Sequence, residues 1–236
     1  DSNLEKIEIG ELDGIGSGFC KNFKKLTEFK ARDIADASIG NESFGGCSSL
    51  TSFVLPKNVT AIGDRAFENT KISAFNGSAA ISVGARAFAG NVALKYFAFN
   101  NEVKALSEGV FDGCTALATV ELSSTCREIG RRSFAGCSAL KKIELTEKVF
   151  SLGMECFADC SSLETINFPK SVEIIGEKSF KNCVSLKEIV VPENVTRIGT
   201  SAFSGCSALA KITVPFIGRY KDSAERFSII FGQSDR

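Results

Sequence analysis

Cysteine is the residue type in this chain whose number and spacing first indicate chemistry. The sequence of 236 residues contains nine cysteines and no histidine. Five of the cysteines follow one another at intervals of 23 residues: Cys114, Cys137, Cys160, Cys183 and Cys206. Thiol groups that recur in this way are candidates for zinc ligands or for disulfide partners.

Neither zinc binding nor disulfide formation fits the spacing. A zinc site needs four ligands in tetrahedral geometry, and the chain has no C-x-x-C pair. Cysteines stacked at the ~4.8 Å spacing of neighbouring strands have parallel side chains, which keeps their sulfurs too far apart to bond. An odd number of cysteines also cannot pair completely. We therefore predict that these cysteines are buried free thiols that pack in the core. Cys156 lies in a column of small residues, and we predict a packing role for it as well.

The absence of histidine removes the commonest general base and the usual Ser–His and Cys–His pairs. Glu121 and Glu144 fall in one strand column, at a spacing compatible with the carboxylate pair of a retaining glycosidase. A solvated sheet face explains them better. Gly14-Ile-Gly16-Ser-Gly18 lacks the spacing of a phosphate-binding loop. We predict no catalytic residue, metal site or cofactor site, with a hydrolase on a repeat scaffold as a minor alternative.

The charge balance excludes two classes of partner. Lysine plus arginine and aspartate plus glutamate each number 28, so the net charge is zero. Such a chain has no overall field that attracts nucleic acid or anionic lipid. No apolar segment is long enough for a membrane span, and residues 1–5 do not resemble a signal peptide. We expect neither nucleic-acid binding nor membrane insertion by this segment.

A repeat of about 23 residues organises the whole chain. Its unit reads L-x-x-I-x-L-P-x-x-V-x-x-I-G-x-x-x-F-x-x-C, in which I-x-L alternates as a strand does. The glycine after isoleucine predicts a turn that needs positive φ or close backbone approach. The segment from phenylalanine to cysteine predicts a short turn or a single helical turn. The phenylalanine column comprises Phe19, Phe44, Phe67, Phe88, Phe111, Phe134, Phe157, Phe180 and Phe203.

A 23-residue unit with one strand cannot bury its own apolar side, whereas stacked units can do so through a continuous parallel sheet. The sequence therefore predicts an α/β-type repeat solenoid of about nine units over residues 1–215. The first strand is a partial unit, and this mid-repeat start favours a larger parent protein. Residues 216–236 leave the pattern. Apolar residues at positions 220, 224, 227 and 231 predict an amphipathic capping helix.

The unit that runs from Leu186-Lys-Glu-Ile189-Val-Val191-Pro192 to Phe203-Ser-Gly-Cys206 resembles the BspA-like leucine-rich repeats of bacterial and protist surface proteins. The resemblance covers roughly residues 4–215. It implies a right-handed, curved solenoid with the parallel sheet on its concave face. It also implies export to the cell surface or secretion, and adhesion to host or neighbouring-cell proteins.

The outward positions of the strands are the natural binding surface of a solenoid. These positions are mostly polar and carry little net charge, which suits contacts with a protein or a glycan. Tyr96 is the one aromatic residue among them, and aromatic residues are enriched at binding hot spots. Alternatively, Tyr96 fills space beside the shortened Phe67 unit. The predicted partner-binding residues are Tyr96, Thr119, Glu121, Lys142, Glu144 and Asn167.

The sequence therefore predicts a non-enzymatic, monomeric interaction module of a cell-surface or secreted protein. Its expected ligand is a host-matrix protein, a neighbouring-cell protein or a glycan. A passive spacer or stalk of a larger surface protein is the alternative. Four N-x-S/T motifs begin at Asn41, Asn58, Asn76 and Asn194. Because two of them fall where the repeat needs a turn residue followed by valine, we prefer an interpretation as turns to one as glycan sites.

Overall fold

The computed structural model describes residues 2–35, 38–54, 59–77, 80, 82–100, 102–222 and 225–232. These residues form a solenoid of about eight coils built from short parallel strands, with almost no helix. Each regular coil contributes a strand to a first sheet, a two-residue strand to a second sheet, and a turn between them. The predicted repeat solenoid with a parallel sheet is confirmed.

The first sheet is built from the I-x-L segments. Equivalent residues of adjacent coils are direct neighbours, so Ile143 lies beside Ile166. The strands form four hydrogen-bonded groups in the orders β1-β2-β4, β6-β8-β10, β12-β14 and β16-β18. Their bounds are β1 Lys6–Leu12, β2 Glu28–Ile34, β4 Ser52–Val54, β6 Phe75–Gly77, β8 Tyr96–Phe99, β10 Thr119–Glu121, β12 Lys142–Glu144, β14 Thr165–Asn167, β16 Glu188–Val190 and β18 Lys211–Thr213.

The second sheet uses the residues just before the glycine of each repeat. The sequence did not indicate these strands, because two residues are too few to show a period of two. They form two groups, β3-β5-β7 and β9-β11-β13-β15-β17. Their bounds are β3 Ser38–Ile39, β5 Ala61–Ile62, β7 Ser82–Val83, β9 Ala105–Leu106, β11 Glu128–Ile129, β13 Ser151–Leu152, β15 Ile174–Ile175 and β17 Arg197–Ile198.

The segment from the recurring glycine of each repeat to the cysteine column forms a turn that is not helical. Arg132 and Gly136 have φ values of 53° and 72°, which a helix excludes. The N–H of Arg132 donates to the carbonyl of Met154 at 2.9 Å, and that of Gly136 donates to Ala158 at 2.8 Å. The N–H groups of alternate turn residues thus donate to the next coil, whereas the glycine that begins the segment donates to the preceding one, as Gly153 does to Ile129 at 2.8 Å.

The glycine after isoleucine is required by close approach and not by its φ value. An ideal Cβ on Gly176 would lie 2.5 Å from the carbonyl carbon of Gly153 in the preceding coil. The backbones of adjacent coils therefore meet at this column with no room for a side chain. Of the two reasons that the sequence allowed, the structure supports the second.

A ladder of phenylalanine rings forms the centre of the core. The rings of Phe134 and Phe157 stack with centroids 5.3 Å apart and planes 1° apart, and Phe157 stacks on Phe180 at 5.4 Å. These three side chains are fully buried. One member differs, because Phe19 remains 37% exposed at one end of the solenoid. The repeated phenylalanine is therefore the main apolar contact between coils.

The predicted capping helix over residues 220–231 is not present as such. Tyr220 forms an antiparallel bridge with Arg197, residues 223–224 lie outside the described residues, and a 3₁₀ helix spans Phe227–Phe231. The segment nevertheless packs on the last coil, and Ile230 is buried. The carbonyls of Ile229 and Ile230 accept from the N–H groups of Ser201 and Phe203. The carbonyls of a regular α-helix point along its axis, so a helix lying against the last coil would not direct them at these N–H groups.

Candidate interaction surface

The outward face is defined here as the side of the first-sheet strands that points away from the phenylalanine ladder. It carries all six predicted binding residues. All six side chains are exposed. They lie on four successive strands of that sheet: Tyr96 on β8, Thr119 and Glu121 on β10, Lys142 and Glu144 on β12, and Asn167 on β14.

The first group of predicted residues centres on Tyr96. Thr119 is its direct neighbour in the sheet, and the hydroxyl of Tyr96 donates a hydrogen bond to the carboxylate of Glu121. This bond raises the pKa of Tyr96, because the carboxylate favours the protonated phenol. Tyr96 is 40% exposed as a residue, so it does not fill interior space beside the Phe67 coil. Phe75 and Phe97 stack there instead, at 5.8 Å.

The second group lies on the next two strands of the outward face. The Nζ atom of Lys142 is 3.5 Å from Oε1 of Glu144, and both side chains are about three-quarters exposed. Glu144 is the direct neighbour of Asn167. An ion pair this exposed contributes little to stability. Both charges therefore remain accessible to a ligand.

A groove separates the two groups, because β10 and β12 belong to different hydrogen-bonded groups of the first sheet. The groove has a volume of about 410 Å³, with Val120 and Ile143 at its floor and Thr119, Lys142 and Glu144 along its sides. The repeat pattern did not indicate this groove, since Val120 and Ile143 occupy the same regular column.

A second groove lies between β14 and β16, which also belong to different hydrogen-bonded groups. Its volume is about 380 Å³, and its lining includes Asn167, Phe168, Val190 and Pro192. Val190 is 54% exposed, so this groove presents apolar surface to solvent. Asn167 therefore stands between two grooves on the outward face.

The cysteines are free thiols, as predicted, and eight of the nine are buried while Cys206 is partly exposed. Each regular thiol also has a role that the sequence did not indicate. The S–H of Cys160 donates to the carbonyl of Phe134 at 3.1 Å, and that of Cys183 donates to Phe157 at 3.2 Å. Burial raises the pKa of the Cys206 thiol to about 11. The thiols thus connect adjacent coils and do not resemble activated nucleophiles.

Among the residues that the structure describes, neither the carboxylates nor the thiols assemble into a recognisable reactive site. Glu121 bonds to Tyr96 and Glu144 pairs with Lys142, both on an open face. Within the ranges that the structure describes, no group of three or more cysteine, aspartate or glutamate side chains is placed to bind a metal ion.

A charge network that the sequence did not indicate runs along the turns. Arg132 donates from Nε and Nη2 to the carboxylate of Asp112 at 3.0 and 3.1 Å, and from Nη1 to Glu155 at 2.6 Å. Arg86, on the other side, donates to Asp112 at 3.2 Å. Gly109 lies between the two arginines in the column that they share. A Cβ there would lie 3.2 Å from Cγ of Arg86, so the glycine gives that side chain room.

Two of the N-x-S/T asparagines have turn contacts. Oδ1 of Asn41 accepts from the N–H of Asp64 at 2.8 Å, and Nδ2 of Asn194 donates to the carbonyl of Lys170 at 2.8 Å. These bonds fit the interpretation as turn residues. Asn58 and the side chain of Asn76 lie outside the described residues.

Comparison with known proteins identifies the repeat. A family model for the BspA type leucine-rich repeat region matches residues 1–94 and 81–210, in six copies. A crystal structure of a leucine-rich repeat protein from T. pallidum is similar with a TM-score of 0.53 and 29% identity, over 60% of this chain and 63% of that one. The chain thus spans less than two thirds of that relative.

A second crystal structure, of a leucine-rich repeat protein from Bacteroides ovatus ATCC 8483, has a TM-score of 0.53 and 22% identity. The similarity covers 86% of this chain and 76% of that one, and it supports the fold. No curated protein sequence matches the chain. Among the described residues, no helix has the length and apolar character that crossing a membrane requires.

Proposed function

Because the chain belongs to the BspA-type leucine-rich-repeat family, we propose that it is a non-enzymatic interaction module of a cell-surface or secreted protein. Its ligand is a protein of the host matrix or of a neighbouring cell, bound through the outward face. Repeat solenoids present long rigid surfaces of this kind. Adhesion is the role that the family resemblance implies.

The observation that carries this proposal is the position of Tyr96 one strand away from the groove between β10 and β12, with Thr119 between them. Tyrosine offers a large, partly apolar contact surface and is enriched at hot spots. Ala98 and Thr119 are small neighbours of Tyr96, so they leave its ring accessible. The groove on the other side of Thr119 has an apolar floor and polar sides, which is the usual composition of a pocket for a partner side chain.

The distribution of charge along the outward face supports the same location. Towards its two ends, charges pair between adjacent coils, as Lys6 does with Glu28 and Lys211 with Glu188. The centre is poorer in such pairs between strands and contains Tyr96. Centres of protein interfaces are depleted in charge, whereas their rims are polar. Ten strands at ~4.8 Å spacing give a face somewhat over 40 Å long, which is the scale of a standard interface.

The test compares binding to extracellular-matrix proteins by the parent chain and by the double variant Tyr96→Ala with Glu121→Lys. We expect the double variant to lose about tenfold or more in affinity, because it removes the aromatic contact and reverses a charge beside the groove. Its melting temperature should stay nearly unchanged, since both side chains are exposed.

The matched control is Tyr220→Ala with Glu173→Lys, which makes the same two changes at exposed residues outside the outward face. Binding by this control should equal that of the parent chain. Parental affinity in the Tyr96 variant would move the contact surface elsewhere. A parent chain that binds none of the matrix proteins would favour a spacer or stalk.

A further inference from the structure

The two grooves of the outward face are separated by a regular pair of strands. The first groove lies between β10 and β12 and the second between β14 and β16, whereas β12 and β14 are hydrogen-bonded to each other. Each groove follows the direction of the strands, so the centres of the two grooves are two strand spacings apart. At ~4.8 Å or a little more per spacing, this separation is about 10 Å.

Both grooves have an apolar interior. Val120 and Ile143 form the floor of the first groove. Ile166 and the partly buried Phe168 line the second, together with Val190, which is 54% exposed. The volumes of about 410 and 380 Å³ leave room in each groove for a side chain such as leucine.

The charges beside the two grooves have opposite orders. Along the first groove, Lys142 lies at the start of β12 and Glu144 at its end. Along the second groove, Glu188 lies at the start of β16 and Lys170 lies beyond the end of β14. All four side chains are exposed. A ligand that crosses both grooves therefore meets one sign and then the other along each of its flanks.

The separation of the grooves selects the conformation of a ligand that crosses the strands. Residues on one side of an extended segment recur at about 6.8 Å and then at about 13.6 Å, so they do not match two grooves about 10 Å apart. Residues i and i+7 of an α-helix lie on nearly the same side and are about 10.5 Å apart. A helix lying across the strands can thus place two side chains in the two grooves at once.

We propose that the outward face binds an amphipathic helix of a partner protein, with apolar side chains seven residues apart in the first and second grooves. This inference rests on the proposed function for the location of the contact surface. Acidic side chains of the helix lie beside Lys142 and Lys170, and basic ones lie beside Glu144 and Glu188. Between the grooves the helix crosses Asn167, so its residues there are small or polar.

A helix in this position also reaches Tyr96. β8 is bonded to β10 and lies about 7 Å from the centre of the first groove, which is one and a half strand spacings. Residue i−4 of the helix lies about 6 Å before residue i and on the same side. Tyr96 therefore contacts residue i−4, which adds an aromatic contact to the two grooves.

The experiment measures binding of three synthetic helical peptides to the 236-residue chain by fluorescence anisotropy. All three peptides have the same composition, and circular dichroism establishes that each is helical. Two of them carry leucines at i and i+7, with charges at i−1, i+1, i+6 and i+8 in the two opposite arrangements. One arrangement should show binding that saturates below about 1 mM. The other should bind about tenfold or more weakly, because it places like charges together.

The third peptide tests the groove separation. It carries leucines at i and i+4, which lie on the same side of a helix but only about 6 Å apart. Its charges repeat those of the peptide that binds. It should bind about tenfold or more weakly than that peptide, because only one of its leucines can enter a groove.

Val190→Lys tests the second groove in the protein itself. Val190 is largely exposed, so this variant should keep the melting temperature of the parent while losing about tenfold in affinity for the better peptide. The matched control is Val184→Lys, because Val184 is a 41% exposed valine in a turn outside both grooves. This control should bind the peptide as the parent does.

Four results would each overturn the helix proposal: no peptide binding up to about 1 mM, equal affinities of the two charge arrangements, full affinity of the i/i+4 peptide, or parental affinity of Val190→Lys. Binding of matrix proteins without binding of any peptide would leave the proposed function intact and exclude the helix as its ligand. Binding of the peptide by a chain that binds no matrix protein would support the helix site and contradict the proposed matrix ligand.

Discussion

Arg132 binds the carboxylate of Asp112 in the preceding coil with two nitrogens, at 3.0 and 3.1 Å. Arg86 reaches the same carboxylate from the other side, at 3.2 Å. Asp112 is therefore the centre of a bond network that spans three coils. Its side chain is 14% exposed, so it is better shielded from solvent than either arginine.

Replacing Asp112 by alanine should lower the free energy of unfolding by about 1–2 kcal/mol. Two arginines lose a shared partner, and their partial exposure keeps the cost moderate. Urea denaturation measures the change. Glu108→Ala is the control, because the Glu108–Arg131 pair is exposed at 3.8 Å and should contribute less than about 0.5 kcal/mol. Equal effects of the two changes would contradict a special role for Asp112.

Gly176→Ala should destabilise the protein by about 3 kcal/mol or more. The added methyl group would lie 2.5 Å from backbone of the preceding coil, which cannot move without disturbing the stack. Gly16→Ala is the matched control, since no atom lies within 4 Å of its Cβ position. That change should be neutral or slightly stabilising. Thermal melts of both variants give the comparison, and similar melting temperatures would refute the close-approach explanation.

Thiol labelling should distinguish the native and unfolded states sharply. In native buffer at neutral pH we expect few thiols to react, Cys206 first, because the other eight are buried and thiolates are the reactive species. In denaturant about nine should react. A chromogenic disulfide reagent counts them in both conditions. Prompt reaction of six or more in native buffer would contradict the buried ladder.

Alkaline pH should destabilise the fold through the same thiols. Burial raises the pKa of Cys47 to about 11 and that of Cys206 to about 11, from an ordinary value of 9.0. Below pH 9 both states keep these thiols protonated, so their contribution to stability is fully present. Above it the unfolded chain ionises first, and the contribution is lost as pH rises towards 11.

The urea midpoint should therefore fall between pH 8 and pH 10.5, a range that brackets the ordinary thiol pKa. Cys47→Ala with Cys206→Ala should reduce the slope of that fall, measured relative to each protein's own midpoint at pH 8. An unchanged slope would show that other groups cause the alkaline effect.

The core was predictable from the sequence because the burial of side chains recurs with the same period as the sequence repeat. Phe134 and Phe157 occupy equivalent positions, and equivalent positions stack. The six predicted binding residues were found on the outward face for the same reason, since alternation assigns each strand residue to one side.

The remaining features depend on contacts between columns, which spacing does not encode. Arg132 and Asp112 belong to different columns and are 20 residues apart, so the period did not connect them. The glycine at position 109, between Arg86 and Arg132 in their shared column, was the one feature of the sequence that could have indicated this network. The groove between β10 and β12 separates Val120 from Ile143, which the repeat treats as equivalent. The predicted capping helix was wrong because the N–H groups of Ser201 and Phe203 need carbonyls directed at the last coil, whereas the carbonyls of a helix lying against that coil point along the helix axis.

The direction of the hydrogen bonds between turns restricts how the number of repeat units can change during evolution. In the turns that the structure describes, alternate N–H groups between the glycine and the cysteine column donate to the following coil. The two ends of that column are therefore chemically different, and the donor end requires a terminal segment with exposed acceptors. Loss or duplication of a whole unit, such as residues 134–156, preserves donor, acceptor and thiol partner at the new junction. A change of any other length has to be absorbed between the columns, as in the step of 21 residues from Phe67 to Phe88, where the N–H of Phe67 still donates to the carbonyl of Ala87 at 2.8 Å. Evolution can therefore lengthen or shorten this scaffold by whole units at any interior point, while its acceptor-bearing terminal segment must stay in place.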